Sequence, residues 1–151
     1  MLRGAVAVIA GYLSLGAWTA LVSTIAWEVL GAEFAFNEGV LVSAGWILLL
    51  FPVILAGAAL GGFVTAILGR SPTNSPVRIL GGLVVALWLV SAVIHLMVDD
   101  PAAAAAPSGL SAGEAARQAV FPAWYNFTIP FVGLAGVLWG GKLRARVSPR
   151  A

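Results

Sequence analysis

The sequence predicts an all-α membrane protein, with four transmembrane helices in an antiparallel up-down bundle and both termini on the cytoplasmic side. Three observations carry this prediction. First, 61% of the 151 residues are hydrophobic, only 9% are charged, and the mean hydropathy is +1.01. A soluble domain carries roughly 25% charged residues, so this chain cannot cover a water-facing surface and takes lipid as its main solvent. Second, residues 5–27, 40–68, 77–98 and 120–140 form four apolar stretches, each long enough for the roughly 20 residues that cross a bilayer core. Third, the charges segregate. Arg3, Arg70, Arg78, Lys142, Arg144, Arg146 and Arg150 flank the stretches on one side, while Glu28, Glu33, Glu38, Asp99, Asp100 and Glu114 lie on the other, joined only by Arg117. Basic residues are retained in the cytoplasm, which places the termini and the 70–78 loop inside. The net charge of +2 and the pI near 9.7 are therefore a topology signal. They point to membrane lipids as partners, through anionic headgroups, and not to nucleic acid.

Each element follows from its own residues. In lipid every backbone polar group must be satisfied within the segment, so each stretch reads as a helix despite its glycines and β-branched residues. The first is longer than a signal-peptide core and lacks a small-x-small cleavage site, so it reads as a retained span. The second exceeds what a bilayer requires, which predicts tilt or a bend at Pro52; Pro130 perturbs the fourth in the same way. In the outer loop, residues 99–119, Pro101 to Pro107 is a low-complexity spacer. Ser111-Ala-Gly-Glu114 then has capping-box spacing and predicts a short outer-surface helix before the last span. That helix reads as a support for the fourth span in preference to a ligand lid. The whole chain reads as one transmembrane domain, residues 1–151, with no separate soluble unit.

The small residues indicate how the helices pack. Gly57-x3-Gly61, Ala58-x3-Gly62, Gly82-x3-Ala86 and Gly136-x3-Gly140 are ridges that let helix backbones approach closely. Internal packing is the preferred use, with a homo-oligomer or a membrane-protein partner as the alternative. Trp46-x5-Pro52 in the second stretch has a counterpart in Trp124-x5-Pro130 in the fourth, each followed by glycines and a basic residue. Two repeated hairpins related by an axis along the membrane normal produce such a pattern, and so does chance agreement between Gly-rich helices. Trp27, Trp124, Tyr125 and Trp139 lie near span ends as interfacial aromatics do.

Polar residues within the spans are few and gather toward the outer leaflet. His95 lies about one turn inside the outer end of the third span, with Asp99 four residues on along the same face. Glu28, Ser91 and Asn126 lie at similar depth, as do Ser23, Thr24, Ser43 and Thr128. A conduit needs polar groups at successive depths, and here the inner half offers little beyond Ser14 and Thr65. The cluster reads as a hydrogen-bonded layer or a shallow outer vestibule. His95 reads first as a hydrogen-bonded interfacial histidine with no special task; the alternatives are a metal site with Asp99 and either Asp100 or Glu28, haem ligation completed by a second copy, and a pH-sensitive pair with Asp99. Absent cysteine excludes thiolate catalysis, iron–sulfur clusters and Cys-ligated zinc. No nucleophile–base constellation or phosphate loop appears, so neither enzyme activity nor a cofactor is expected.

Gly11-Tyr12-Leu13 in the first span, Leu60-Gly-Gly-Phe-Val-Thr-Ala-Ile-Leu68 closing the second, and Asn126-Phe-Thr-Ile-Pro130 through Gly136-Val-Leu-Trp-Gly-Gly-Lys-Leu-Arg144 closing the fourth carry a resemblance. The chain resembles a family of small bacterial four-span inner-membrane proteins with no established activity. The Ala-rich outer loop departs from that pattern. The resemblance implies a multi-pass protein of the bacterial inner membrane and transfers no catalytic residue. On these grounds the sequence is read first as a non-enzymatic structural or accessory subunit of a membrane complex or a homo-oligomer. A small transporter or binder of lipophilic ligands with an outer-leaflet vestibule is the second reading.

Overall fold

Five helices form in the computed structural model, which describes residues 2–37, 39–69, 75–98 and 111–147. They are α1 (Leu2–Ala35), α2 (Ala44–Gly69), α3 (Ser75–Val98), α4 (Ala112–Gln118) and α5 (Ala123–Val147). Glu38, Arg70, Asp99, Asp100, Arg150 and the spacer from Pro101 to Pro107 lie outside the described residues. Among the described residues, three helices are long and apolar enough to cross a membrane: Leu2–Ala35, Ala44–Gly69 and Ser75–His95. The chain is thus a helical, multi-pass membrane protein. α5 matches α2 and α3 in length, with 25 residues, but Trp124, Tyr125, Asn126, Thr128 and Pro130 dilute its apolar character. Pro52 and Pro130 are both carried inside continuous helices.

Close approaches at glycines fix the helix directions. Gly11 of α1 faces Gly61 and Thr65 of α2, and Gly57 faces Leu15, Trp18 and Thr19, so α1 and α2 are antiparallel. Gly141 faces Val77, and Gly133 faces Val84 and Trp88, so α3 and α5 are antiparallel as well. α2 and α5 run parallel at the centre and share the most extensive interface, with α1 and α3 on their flanks. Of the six ridge glycines singled out in the sequence, all but Gly82 lie in intramolecular contacts. Gly57 and Gly61 pack against α1, whereas Gly136 and Gly140 pack against α2. The outward faces carry large apolar side chains instead, among them Leu13, Leu48, Val90 and, on α5, Phe131 and Trp139. Small inside and large outside is the pattern expected when lipid, itself apolar, supplies no drive for helices to associate.

The α2–α5 crossing has an internal exchange symmetry. Adding 78 residues, the offset of the Trp-x5-Pro motifs, carries Ala58 to Gly136, Ala59 to Val137 and Gly62 to Gly140. In the structure Gly62 abuts the Val137 backbone, Gly140 abuts the Ala59 backbone, and Gly136 meets Ala58. Each contact therefore maps onto another, or onto itself. The symmetry stops at the crossing, because α1 rests on the face of α2 at Gly57 and Gly61 while α3 rests on α5 at Gly133, Val137 and Gly141. Trp46 is correspondingly buried, at 8% exposure, whereas Trp124 is 56% exposed.

One end of the bundle is tight and the other is splayed. At the tight end Gly4 and Gly69 lie against Pro76, Gly11 against Leu80, and Gly141 against Val77. Thr65, fully buried there, donates to the Ala7 carbonyl at 3.2 Å and to its own-helix Gly61 carbonyl at 2.9 Å. Arg3, Arg78, Lys142 and Arg144 belong to this end by their positions in α1, α3 and α5, whereas Glu28, Glu33, Glu114 and Arg117 belong to the opposite end.

At that opposite end the expected element boundaries shift. The first helix runs on to Leu30 and breaks at Gly31, whose φ of 75° glycine adopts without strain. α2 starts at Ala44 and α5 at Ala123, later than the apolar stretches do, because Val40–Val42 and Val120 form a small paired segment. Val42 N–H donates to the Val120 carbonyl at 3.1 Å, and Val120 N–H donates to the Val40 carbonyl at 2.9 Å. β-Branched side chains favour such extended pairing, and the bonds satisfy backbone groups that would otherwise be buried without partners. Ser43 caps α2 by accepting from Trp46 N–H at 3.0 Å and donates to the Phe34 carbonyl.

Candidate functional site

The divergence of α1 from α3 at the splayed end leaves a cavity of about 450 Å³. Its floor is formed by Thr19, Ile54, Trp88 and Ile129, one from each long helix. Higher up, Trp27, Trp46, Phe121 and Tyr125 supply aromatic walls, and Ser23, Ser91, His95 and Asn126 supply polar groups. α4 lies across the top with its small residues, including the buried Ala115, turned inward.

The aromatic walls brace one another. Trp27 meets Trp46 edge-on at 6.2 Å and Phe36 at 5.9 Å, while Tyr125 stacks on Phe121 at 4.8 Å and meets Phe51 edge-on at 5.7 Å. Such pairs each contribute about 0.5–1.5 kcal/mol beyond their burial, so the walls are preformed and stiff. α4 owes its position to the capping box expected from the sequence. Ser111 Oγ accepts from Glu114 N–H, and Ser111 N–H donates back to the Glu114 carboxylate at 3.0 Å. The Ser111 hydroxyl also donates to the Glu114 carboxylate at 2.7 Å, and this bond, with that from the Ser111 N–H, holds the Glu114 carboxyl below its ordinary pKa. The cap is therefore intact above the usual carboxylate range and weakens as pH falls through it.

The structure sorts the polar layer read from the sequence into two groups. Ser91, His95 and Asn126 come together on the cavity, joined by Ser23 and Thr24. Glu28 lies apart from it, exposed on α1, and Asp99 falls outside the described residues. Ser43 and Thr128 are taken up by their own backbones, Thr128 by the Trp124 carbonyl at 2.7 Å. Among the described residues no group of three His, Cys, Asp or Glu side chains gathers to hold a metal. Thr19 also lines the cavity and is not among the polar residues singled out above. Its buried hydroxyl oxygen has no hydrogen-bond partner among the described residues and faces the Cα of Gly57. A hydroxyl at helix spacing from Ser23, Trp27 and the rest of the α1 cavity face was the available signal.

This arrangement can hold a molecule that is apolar over most of its length and makes a few hydrogen bonds at one end. Sites of about 300–1,000 Å³ with mainly apolar walls and a few convergent polar groups are the usual form of small-molecule pockets. Comparison with known proteins adds no assignment: the chain matches no protein family, no curated protein and no solved structure.

Proposed function

We propose that this protein is a four-span inner-membrane protein of bacteria that binds a lipophilic ligand in the cavity between α1 and α3. The observation that carries the proposal is the preformed, aromatic-walled cavity itself, placed where the polar residues of the spans converge. Its ridge glycines support the same choice. Gly57, Gly61, Gly136 and Gly140 serve internal packing, which removes them as a surface for partners. Mild extraction followed by native mass spectrometry should show one lipophile retained per chain. Ala92→Phe, which fills the cavity from a buried position on α3, should abolish retention without lowering the melting temperature of the protein. Equal retention by the variant would sink this reading.

A second reading, as an accessory subunit or homo-oligomer, is favoured by one ridge left over. Gly82 and Ala86 are both exposed on α3, and a Cβ at Gly82 meets nothing within 4 Å. A partner helix fits closely against such a face. The same spectra report it, as a complex that survives extraction.

In this proposal α5 is the fourth span, because its exposed Phe127, Phe131, Leu138 and Trp139 require lipid. The basic, tight end faces the cytoplasm and the cavity lies in the outer leaflet. The chain contains no cysteine, so introduced thiols label cleanly. Gly113→Cys should react with an impermeant maleimide on intact cells, and Arg144→Cys only after permeabilisation. The reverse pattern would invert the topology.

A further inference from the structure

We infer that the ligand is an uncharged, single-chain amphiphile with a hydroxyl or carbonyl head, and that it enters sideways from the bilayer between α1 and α3. This inference rests on the lipophile-binding reading above. Among the described residues, no Asp, Glu, Lys or Arg lines the cavity. A phosphate, carboxylate or ammonium held there finds no Asp, Glu, Lys or Arg counter-charge among the described residues, and burying an unpaired charge is strongly unfavourable. The polar groups present are hydroxyls, an imidazole and an amide, which suit a neutral head that donates and accepts hydrogen bonds. All of them except Thr19 lie toward the splayed end, and the floor is otherwise Ile54, Trp88 and Ile129. The head therefore lies at headgroup depth and the chain points toward the bilayer centre.

The mouth indicates the route. Ala20, Thr24 and Ser91 line the cavity and are also exposed, so it opens where α1 and α3 part. α4 packs against α1 and, among the described residues, makes no helix contact with α3. The top on the α1 and α5 sides is closed by α4 and by the backbone pairing of Val120 with Val40 and Val42. An apolar chain can then pass between membrane and cavity without crossing water.

The six tryptophans make this measurable. Trp27, Trp46 and Trp88 line the cavity, whereas Trp18, Trp124 and Trp139 face outward. With Trp18, Trp124 and Trp139 replaced by Phe, a lipid carrying a dibrominated stearoyl chain quenches fluorescence only from inside. The full-length triple variant in detergent is titrated with three such probes: the monoacylglycerol, the lysophosphatidylglycerol, and the free acid ionised at alkaline pH. The expected result is saturable quenching by the monoacylglycerol, at least about tenfold tighter than by either anion. Ser91→Arg, which places a cation at the exposed mouth, should reverse that order. Equal affinity for all three, or a preference for an anion in the unsubstituted site, overturns the neutral head while leaving the cavity a lipid site. No saturable quenching by any probe overturns the lipophile-binding reading itself. Native mass spectra of the unsubstituted chain with the same lipids give the same ranking if the triple variant fails to fold.

Discussion

Gly140→Ala is expected to destabilise the bundle by about 3 kcal/mol, the upper part of the usual range for overpacking. A methyl group at Gly140 overlaps the backbone of Ala59, and one at Gly62 overlaps the backbone of Val137. Backbone cannot rotate aside as a side chain can, so the helices must separate along the whole crossing. Exchanging Gly for Ala inside a helix otherwise gains roughly 0.5–1 kcal/mol, and this gain is too small to offset the overlap. Gly82→Ala isolates the propensity term, because a Cβ there meets nothing within 4 Å. Thermal unfolding in mild detergent should therefore show Gly140→Ala and Gly62→Ala well below the parent protein, and Gly82→Ala at or slightly above it. If all three variants melt alike, α2 and α5 are not held by backbone contact.

Much of this crossing was legible in the sequence, and the reason is physical. In a membrane, close approach is the main means of holding helices together, so small residues at four-residue spacing mark interfaces directly. The segregated charges and the Ser111–Glu114 cap are equally local signals. Partner choice is not local. Nothing in Gly57 or Gly61 states that α1 is the neighbour, or that Gly136 meets Ala58 across the chain. The pairing of Val40 and Val42 with Val120 joins segments 78 residues or more apart, and these segments read as helix in the sequence because valine in an apolar stretch supports either state.

The candidate site was legible in its polar residues and not in its shape. Ser91, His95 and Asn126 stood out because polar groups in spans are rare. A cavity, however, is a property of divergence between helices, and here it lies away from the end where α1 meets α3 at Gly4 and Gly11. Of the aromatic residues that wall it, Trp27 and Tyr125 read as interfacial anchors. An anchor and a cavity wall both sit near a span end, and only the neighbours of the ring reveal which face it presents.

Those walls carry the second large effect. Trp46→Ala should cost about 3 kcal/mol, at the lower end for a buried aromatic deletion, because lipid contributes no hydrophobic term and only packing is lost. Trp46 is 8% exposed, meets Trp27 and Phe34 edge-on, and lies in the first turn of α2 with its N–H on the Ser43 hydroxyl. Its removal leaves Trp27 without one wall and Phe34 without its ring partner. The damage should stay at the splayed end. Hydrogen exchange at the Val42 and Val120 amides, which close the loops over the cavity, should accelerate, while amides around Gly62 and Val137 keep their protection. Trp139→Ala, at a residue 53% exposed to lipid, should leave both regions unchanged. Should Trp46→Ala prove as harmless as Trp139→Ala, the aromatic cluster is not what holds the cavity open. Uniform loss of protection would instead mean that the two ends unfold as one unit, and that the tight end cannot stand without the aromatic one.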